Sequence, residues 1–251
     1  STHYGIAAYY PMMACKAGMI GMTATNARPS IAPTFGVENM LGTNPLVFAM
    51  PTDEDFPFTN DYATSISQRG KIEAYARDGK DLPPGWVIGR DGKTKTNAKE
   101  VLDDLTCDRA ALAPLGGIGE ETAGYKGYGF ATVAEILAAS LQQGDFLKRL
   151  SGIDENGKKA PIRLGHFFMA VDIESFTDLE KFKKTTGDIL RELRASERAP
   201  GEKRIYTCGE KEYLAWLERK NKGAPLGAVL QKEMIAMRNE LGLSKYKFEF
   251  E

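Results

Sequence analysis

Imidazole is the scarcest reactive group in this chain of 251 residues, because only His3 and His166 carry it. An imidazole titrates near neutral pH and can exchange a proton with an alcohol or a carbonyl oxygen. His3 is followed by small residues, beginning with Gly5, that would let a ligand come close, and a surface or core histidine is the alternative. His166 lies in an apolar run, which favours a place in the core or at an interface. His3 is therefore the first candidate for proton transfer.

Two polar segments beside predicted strands could form hydrogen bonds to a ligand. Thr43 and Asn44 precede the apolar run 46–48 and offer side-chain donors and acceptors, and a turn leading into a strand is the alternative. Asp61 follows another strand-like run. Its carboxylate could accept hydrogen bonds from ribose or nicotinamide groups, or it could cap a helix.

Residues 116–129 are rich in glycine, contain Lys126 and lead into a predicted helix. Exposed backbone N–H groups, the partial positive charge of a helix N-terminus and a lysine together suit a phosphate or another anion. A structural glycine-rich turn with a solvated lysine is the alternative. The loop 208–210 precedes another predicted helix and could hold phosphate or ribose, or cap that helix. The sequence contains neither GxGxxG after a strand nor GxxxxGK[ST], so a dinucleotide would have to bind at a site of another type.

Hydrophobic spacing predicts the elements that position these groups. The predicted helices cover residues 6–17, 66–77, 99–105, 130–141, 179–193, 210–219 and 226–243. The predicted strands cover residues 19–25, 46–50, 56–62, 86–88, 163–173 and 204–206. Residues 26–44 form a long ordered loop. Helices and strands alternate, which predicts an α/β arrangement.

Composition narrows the function classes. The net charge of -1 gives no field that would favour nucleic acid or an anionic membrane, and no apolar run approaches the ~20 residues of a membrane span. The three cysteines show no CxxC spacing, so we expect reduced thiols, no metal site and a cytoplasmic protein. These features predict that neither nucleic acid nor a membrane is a partner.

The motifs are specific only in combination. Along the chain follow STHYG, MIGMTATN, LGTNPLVFAMP, NDYATS, LPPGWVI, GYKGYG, GHFFMAVD and CGE. In this order they resemble the malate/L-lactate dehydrogenase family that is unrelated to the Rossmann-type enzymes, and the resemblance covers essentially the whole chain. It implies an NAD- or NADP-dependent oxidoreductase, typically a homodimer. The implied fold is α/β (α+β), with a large mixed, mostly antiparallel sheet surrounded by helices.

The resemblance also assigns roles by position. His3 matches a histidine at the nicotinamide and substrate and is the catalytic candidate. Substrate contacts are implied for Thr43, Arg69 and Gly70. Cofactor contacts are implied for His3, Asp61, Tyr62, Ala63, Lys126, Gly127, Gly209 and Glu210. The chain departs from the pattern mildly, with Tyr4 for Phe, Tyr62 for Met, Cys208 for Pro and Phe35-Gly36-Val37 for a run ending in Gly-Gly.

The family's N-terminal helical segment, with a Ser-His-Gly motif and a downstream arginine, has no counterpart in this sequence. We therefore expect the chain to be part of a longer enzyme, in which either His3 or the histidine of that segment donates the proton. Residues 1–220 are expected to form the cofactor-binding and catalytic domain, and residues 221–251 a helical segment that packs with those N-terminal helices.

The predicted reaction is hydride transfer between nicotinamide and a 2-hydroxy or 2-oxo acid, as in a malate dehydrogenase. The alternative is a non-catalytic dinucleotide-binding or structural subunit that needs another chain to complete its site.

Overall fold

The computed structural model describes residues 2–251, so Ser1 of the STHYG motif lies outside the described residues. The helices are α1 (Tyr9–Lys16), α2 (Arg69–Arg77), α3 (Ala98–Thr106), α4 (Gly124–Ala139), α5 (Leu179–Ala195), α6 (Glu210–Arg219) and α7 (Ala228–Glu240). The strands are β1 (Met19–Thr25), β2 (Leu46–Met50), β3 (Phe58–Tyr62), β4 (Val87–Gly89), β5 (Ala110–Leu112) and β6 (His166–Asp172). Strands 19–25 and 46–50 and helix 210–219 have the predicted bounds.

The main sheet has four strands in the order β3-β2-β1-β6, and every neighbouring pair is antiparallel. β1 therefore lies inside the sheet, and its last three residues are buried. The expectation of an α/β fold built on an antiparallel sheet is confirmed.

Helices cover both faces of β1, because successive side chains of a strand point to opposite sides. On one face α1 comes so close that a Cβ atom at Gly21 would overlap the backbone of Pro11. On the other face Ala24 and Leu46 form a buried cluster with Ala134 of α4. Only glycine at position 21 allows the first of these approaches.

A second core lies around the two-stranded antiparallel sheet of β4 and β5. Ile31 and Leu41 exchange backbone hydrogen bonds, and Ser30 and Ala32 bond to Leu112 of β5. Further buried side chains of this cluster are Ile72, Leu82, Val87, Ala98, Val101, Ala110 and Ala131. The long loop after β1 is therefore ordered, as predicted, because hydrogen bonds and apolar contacts hold it.

The chain divides into two compact units, with the boundary between Gly209 and Glu210. The second unit contains α6 and α7. No residue of α7 is buried, and the side chains of Val229 and Met237 are more than half exposed. No helix in residues 2–251 has the length and apolar character to cross a membrane.

Two element predictions are wrong, and one strand was missed. α4 begins at Gly124 rather than at residue 130, because Gly124 and Gly127 allow the helix to pack directly on the backbones of Gly117 and Leu115. That packing outweighs the low helix propensity of glycine. Residues 204–206 are irregular and join no strand ladder of the described chain. The strand that was missed is β5, because its three residues are too few to show the alternation of apolar and polar side chains that indicates a strand.

Candidate active site

One edge of the main sheet collects the ends of four strands. Because neighbouring strands are antiparallel, the end of β1 lies beside the starts of β2 and β6, and the start of β2 lies beside the end of β3. The register places Ala24 opposite Leu46, Leu46 opposite Tyr62, and Thr25 opposite His166. Segments far apart in sequence thus meet at this edge.

A cavity of about 510 Å³ opens at this edge. The structure brings seven of the predicted site residues together in its wall: His3, Thr43, Asp61, Tyr62, Ala63, Arg69 and Gly70. Sequence reasoning did not single out Thr25, Asn26, Ala27, Pro45, Gln68 and Leu164, which also line it. Lys126, Gly127, Gly209 and Glu210 are not part of this wall.

His3 is exposed, and its tautomer follows from one hydrogen bond. The backbone N–H of Gly5 donates to Nδ1 of His3 at 3.0 Å. Nδ1 must therefore present its lone pair, so the neutral ring carries its proton on Nε2. In this arrangement His3 can donate a hydrogen bond through Nε2.

Asp61 combines the two roles that its sequence left open. It lies near the end of β3, it is exposed, and its Oδ2 accepts a hydrogen bond of 3.1 Å from the backbone N–H of Ala8. Ala8 precedes α1, so the carboxylate satisfies a backbone donor at that helix start and lies next to its partial positive charge. The same carboxylate forms part of the cavity wall.

Arg69 and Gly70 open α2 at the rim of the cavity. The Nε of Arg69 bonds to Glu73 Oε1 at 3.0 Å, and Nη1 donates to Thr106 Oγ1 at 3.3 Å. Both partners are exposed, so the guanidinium can exchange them for a ligand at small cost. A Cβ atom at Gly70 would meet nothing within 4 Å, which leaves this part of the rim open.

His166, expected in the core or at an interface, instead lies partly buried in the cavity wall. Its Nδ1 is 2.7 Å from Thr25 Oγ1, and its ring stacks on Tyr4 with centroids 4.6 Å apart and planes inclined by 3°. Burial lowers the pKa of His166, a hydrogen bond with the Thr2 backbone opposes this shift, and the positive charge that His3 carries when it is protonated adds to it. The sequence analysis could not place His166 in the cavity, because this position follows from the register of β6 against β1, and a single sequence does not supply that register.

A stack of three rings holds the His3 segment against the sheet. Tyr4 lies between His166 and Tyr10, and the Tyr4 and Tyr10 centroids are 4.9 Å apart. The Tyr10 hydroxyl also donates to the backbone oxygen of Tyr4 at 2.7 Å. Burial raises the pKa of the Tyr4 phenol. The backbone next to His3 is therefore anchored, although the His3 side chain is exposed.

Lys126 and Gly127 lie in the first turn of α4 and do not line the cavity. A side chain at position 127 would overlap the backbone of Leu115, whose N–H donates to the Thr64 oxygen at 2.8 Å. Thr64 follows Ala63 of the wall. Gly127 thus allows α4 to pack closely on this backbone, and Lys126 is exposed beside it.

Gly209 lies near the start of β3, whereas Asp61 lies near its end. The Thr59 N–H donates to the Cys208 oxygen at 3.3 Å, and Gly209 adopts a positive φ of 91° beside Pro57. Asp61 is two residues beyond Thr59, or about 7 Å along an extended strand. Glu210 is the first residue of α6 in the second unit.

Comparison with known proteins decides the family. A family model described as malate/L-lactate dehydrogenase matches residues 1–235. The chain belongs to the malate/L-lactate dehydrogenase family. This family membership agrees with the resemblance that the motifs indicated.

Similar members of the malate/L-lactate dehydrogenase family are longer than this chain. Malate dehydrogenase of Pyrococcus horikoshii is 42% identical over 97% of this chain and 65% of its own length. L-sulfolactate dehydrogenase of Methanocaldococcus jannaschii is 33% identical over 97% of this chain and 65% of its own length. The chain therefore spans about 65% of the length of these curated relatives.

Solved structures of the family share the fold. The crystal structure of malate dehydrogenase from Entamoeba histolytica matches with a TM-score of 0.89 and 42% identity, covering 99% of this chain and 68% of that chain. Malate dehydrogenase from Pyrococcus horikoshii matches with a TM-score of 0.78 and 38% identity, covering 96% of this chain and 63% of that chain.

Proposed function

We propose that this chain carries the cofactor and substrate site of an NAD- or NADP-dependent oxidoreductase. The reaction is hydride transfer between nicotinamide and C2 of a 2-hydroxy or 2-oxo acid, with malate and oxaloacetate as the first pair to test. The observation that carries the proposal is the cavity, because it brings His3, Thr43, Asp61 and Arg69 together in a member of this family. The malate dehydrogenase relatives support the choice of substrate pair.

The residues present suit a nicotinamide cofactor. A cavity of about 510 Å³ lies within the usual range of ligand pockets, and its wall offers a carboxylate, hydroxyl groups and imidazoles. His3, Asp61, Tyr62 and Ala63 would hold the nicotinamide end. Gly209, beside the start of β3, and Lys126, exposed in the first turn of α4, are further cofactor contacts in this proposal. When bound, the cofactor supplies or takes up the hydride.

Thr43 and Arg69 would orient the acid. A guanidinium can hold a carboxylate through two parallel hydrogen bonds, which sets both its position and its angle. Arg69 would give up its exposed partners Glu73 and Thr106 for the substrate. The open space at Gly70 leaves room for the substrate at this rim.

His3 would exchange the proton of the substrate hydroxyl. In the reduction direction, Nε2–H donates to the C2 oxygen while the alcohol forms. Full proton transfer also requires a proton at Nδ1, so the ring must give up its bond from Gly5. In the oxidation direction the same atoms act in reverse.

The test begins with fluorescence titration of the chain by NADH and NADPH, followed by oxidation of the bound cofactor with oxaloacetate and other 2-oxo acids. Replacing His3 by Ala should lower kcat/KM by roughly 10²- to 10⁴-fold, the usual effect of a general acid or base. Thr2→Ala, at the neighbouring exposed position, is the control. Unchanged kcat/KM in the His3 variant would remove the catalytic role.

The exposed apolar side chains of α7 favour a second candidate, a dinucleotide-binding or structural subunit completed by another polypeptide. Such a subunit would bind NADH or NADPH without turnover, and activity would appear only with the second polypeptide. We retain a homodimer and a cytoplasmic location as predictions. The first rests on the family resemblance, and the second on the number and spacing of the three cysteines.

A further inference from the structure

A buried carboxylate lies beneath the cavity. Glu135 is on the face of α4 that packs against the sheet, and it is only 6% exposed. Its Oε2 accepts from Nδ2 of Asn44 at 2.7 Å, and its Oε1 accepts from the Leu147 N–H at 2.9 Å and from Nδ2 of Asn26 at 3.4 Å. Only donors therefore face the carboxylate in these hydrogen bonds.

This pattern determines how both asparagine amides are turned. Because their Nδ2 groups point at Glu135, their oxygens face away from it. Oδ1 of Asn26 accepts from the Gly165 N–H at 2.8 Å, and Oδ1 of Asn44 accepts from the Ala27 N–H at 3.1 Å. Nδ2 of Asn44 also donates to the Ala131 oxygen at 3.0 Å, and Nδ2 of Asn26 to the Asp145 oxygen at 3.1 Å. We call Glu135, Asn26 and Asn44 the hub.

The hub holds three segments of the cavity wall. Asn26 lies between Thr25 and Ala27, which line the cavity with it. Asn44 lies between the wall residues Thr43 and Pro45. Through Asn26 the hub also holds Gly165, the residue before His166. The segments come from the end of β1, the start of β2 and the start of β6, and the carboxylate ties all three to α4.

We propose that Glu135 is a positioning residue for the substrate end of the cavity. It lies outside the wall of this cavity, and it acts by setting the amides of Asn26 and Asn44. The role in catalysis rests on the proposed dehydrogenase function, whereas the role in holding the wall does not.

The test is Glu135→Gln in the full chain. The amide of Gln has one oxygen and one NH₂ group, so one side of the hub must then place a donor against a donor. We expect hydrogen exchange to accelerate by at least about 5-fold at Ala27 if the NH₂ group meets Asn44, or at Gly165 if it meets Asn26, because that backbone amide loses its well-oriented acceptor. We also expect kcat/KM for the 2-oxo acid to fall roughly 10- to 100-fold, as small misplacements of substrate-binding groups do.

Val101→Ala is the matched control, because Val101 is buried in the other core and lies outside the hub. It should lower the melting temperature. Hydrogen exchange at Ala27 and Gly165 should stay unchanged, and so should kcat and KM per mole of folded protein. Unchanged exchange at both amides in the Glu135 variant would overturn the proposal. So would faster exchange with unchanged KM and kcat. If the unsubstituted chain binds cofactor but reduces no 2-oxo acid, the dehydrogenase function fails, and exchange alone decides whether Glu135 holds the wall.

Discussion

The hub and the wall of the cavity are both polar, but they use polar groups in opposite ways. In the hub, Glu135, Asn26 and Asn44 are buried and bond to one another and to backbone groups. In the wall, His3, Asp61 and Arg69 are exposed. A buried polar group without a partner is costly, whereas an exposed one exchanges partners with water cheaply. The hub can therefore determine geometry, and the wall can bind and release ligands.

The largest expected effect is on stability, from replacing Glu135 by Ala. The change leaves one N–H of the buried Asn44 amide and the partly buried Leu147 N–H without their acceptor, which should lower the free energy of unfolding by about 3 kcal/mol. Urea unfolding measures this loss. Glu73→Ala, which removes an exposed carboxylate paired with Arg69, should change the same quantity by no more than about 1 kcal/mol. Equal losses would remove the distinction between hub and wall.

The next effect is on substrate binding, from replacing Arg69 by Ala. We expect KM for the 2-oxo acid to rise roughly 10- to 100-fold, because hydrogen bonds to a carboxylate are lost, while the free energy of unfolding stays nearly constant. Steady-state kinetics and urea unfolding of the same preparation test both parts. Arg77→Ala, at the other end of α2, is the control. A KM that stays unchanged would remove Arg69 from the substrate site.

The contrast between the hub and the wall of the cavity also explains which features could be predicted from the sequence. β1 and β2 have clear apolar runs, and both strands were predicted with their observed bounds. The motifs singled out His3, Thr43, Asp61 and Arg69, and the structure brings these four residues together in the wall of one cavity. Glu135 carried no signal, since one glutamate in an apolar helix looks like a solvated residue. Its partners Asn26 and Asn44 are distant in sequence, and only the strand register and the packing of α4 bring the three together.

A smaller effect concerns pH. Burial lowers the pKa of His166 below its ordinary value near 6.5, so the unfolded chain binds more protons at His166 than the folded chain between these two pKa values. The free energy of unfolding should therefore fall as pH drops from 7 through 6.5 toward the folded pKa. After discounting for solvent screening, we expect no more than about 1 kcal/mol. His166→Asn should flatten the pH dependence between pH 5 and 7, as followed by thermal unfolding. An unaltered slope would contradict the shift.

The smallest effect is on thiol reactivity. Burial raises the pKa of the Cys15 thiol to about 11, so this residue should resist alkylation at pH 8. Cys107 and Cys208 are exposed and should react. Because Cys208 precedes Gly209, bound NADH should slow its alkylation by about 2-fold or more if that loop contacts the cofactor, while Cys107 serves as the internal control. Mass spectrometry of labelled peptides gives the three rates. Equal protection of both exposed thiols would argue against a cofactor contact at Gly209.

The alternation of β1 has a consequence for how such a site can be lost. Thr25 bonds to His166, whereas the next residue, Asn26, turns to the other side of the sheet and bonds to Glu135. Consecutive residues thus belong to different layers. A slip of the β1 pairing by one position would turn each residue to the opposite face, so that Thr25 would leave the imidazole and Asn26 would leave the carboxylate. A related chain could keep every motif residue and still lack this site, since its integrity depends on strand alignment as much as on residue identity.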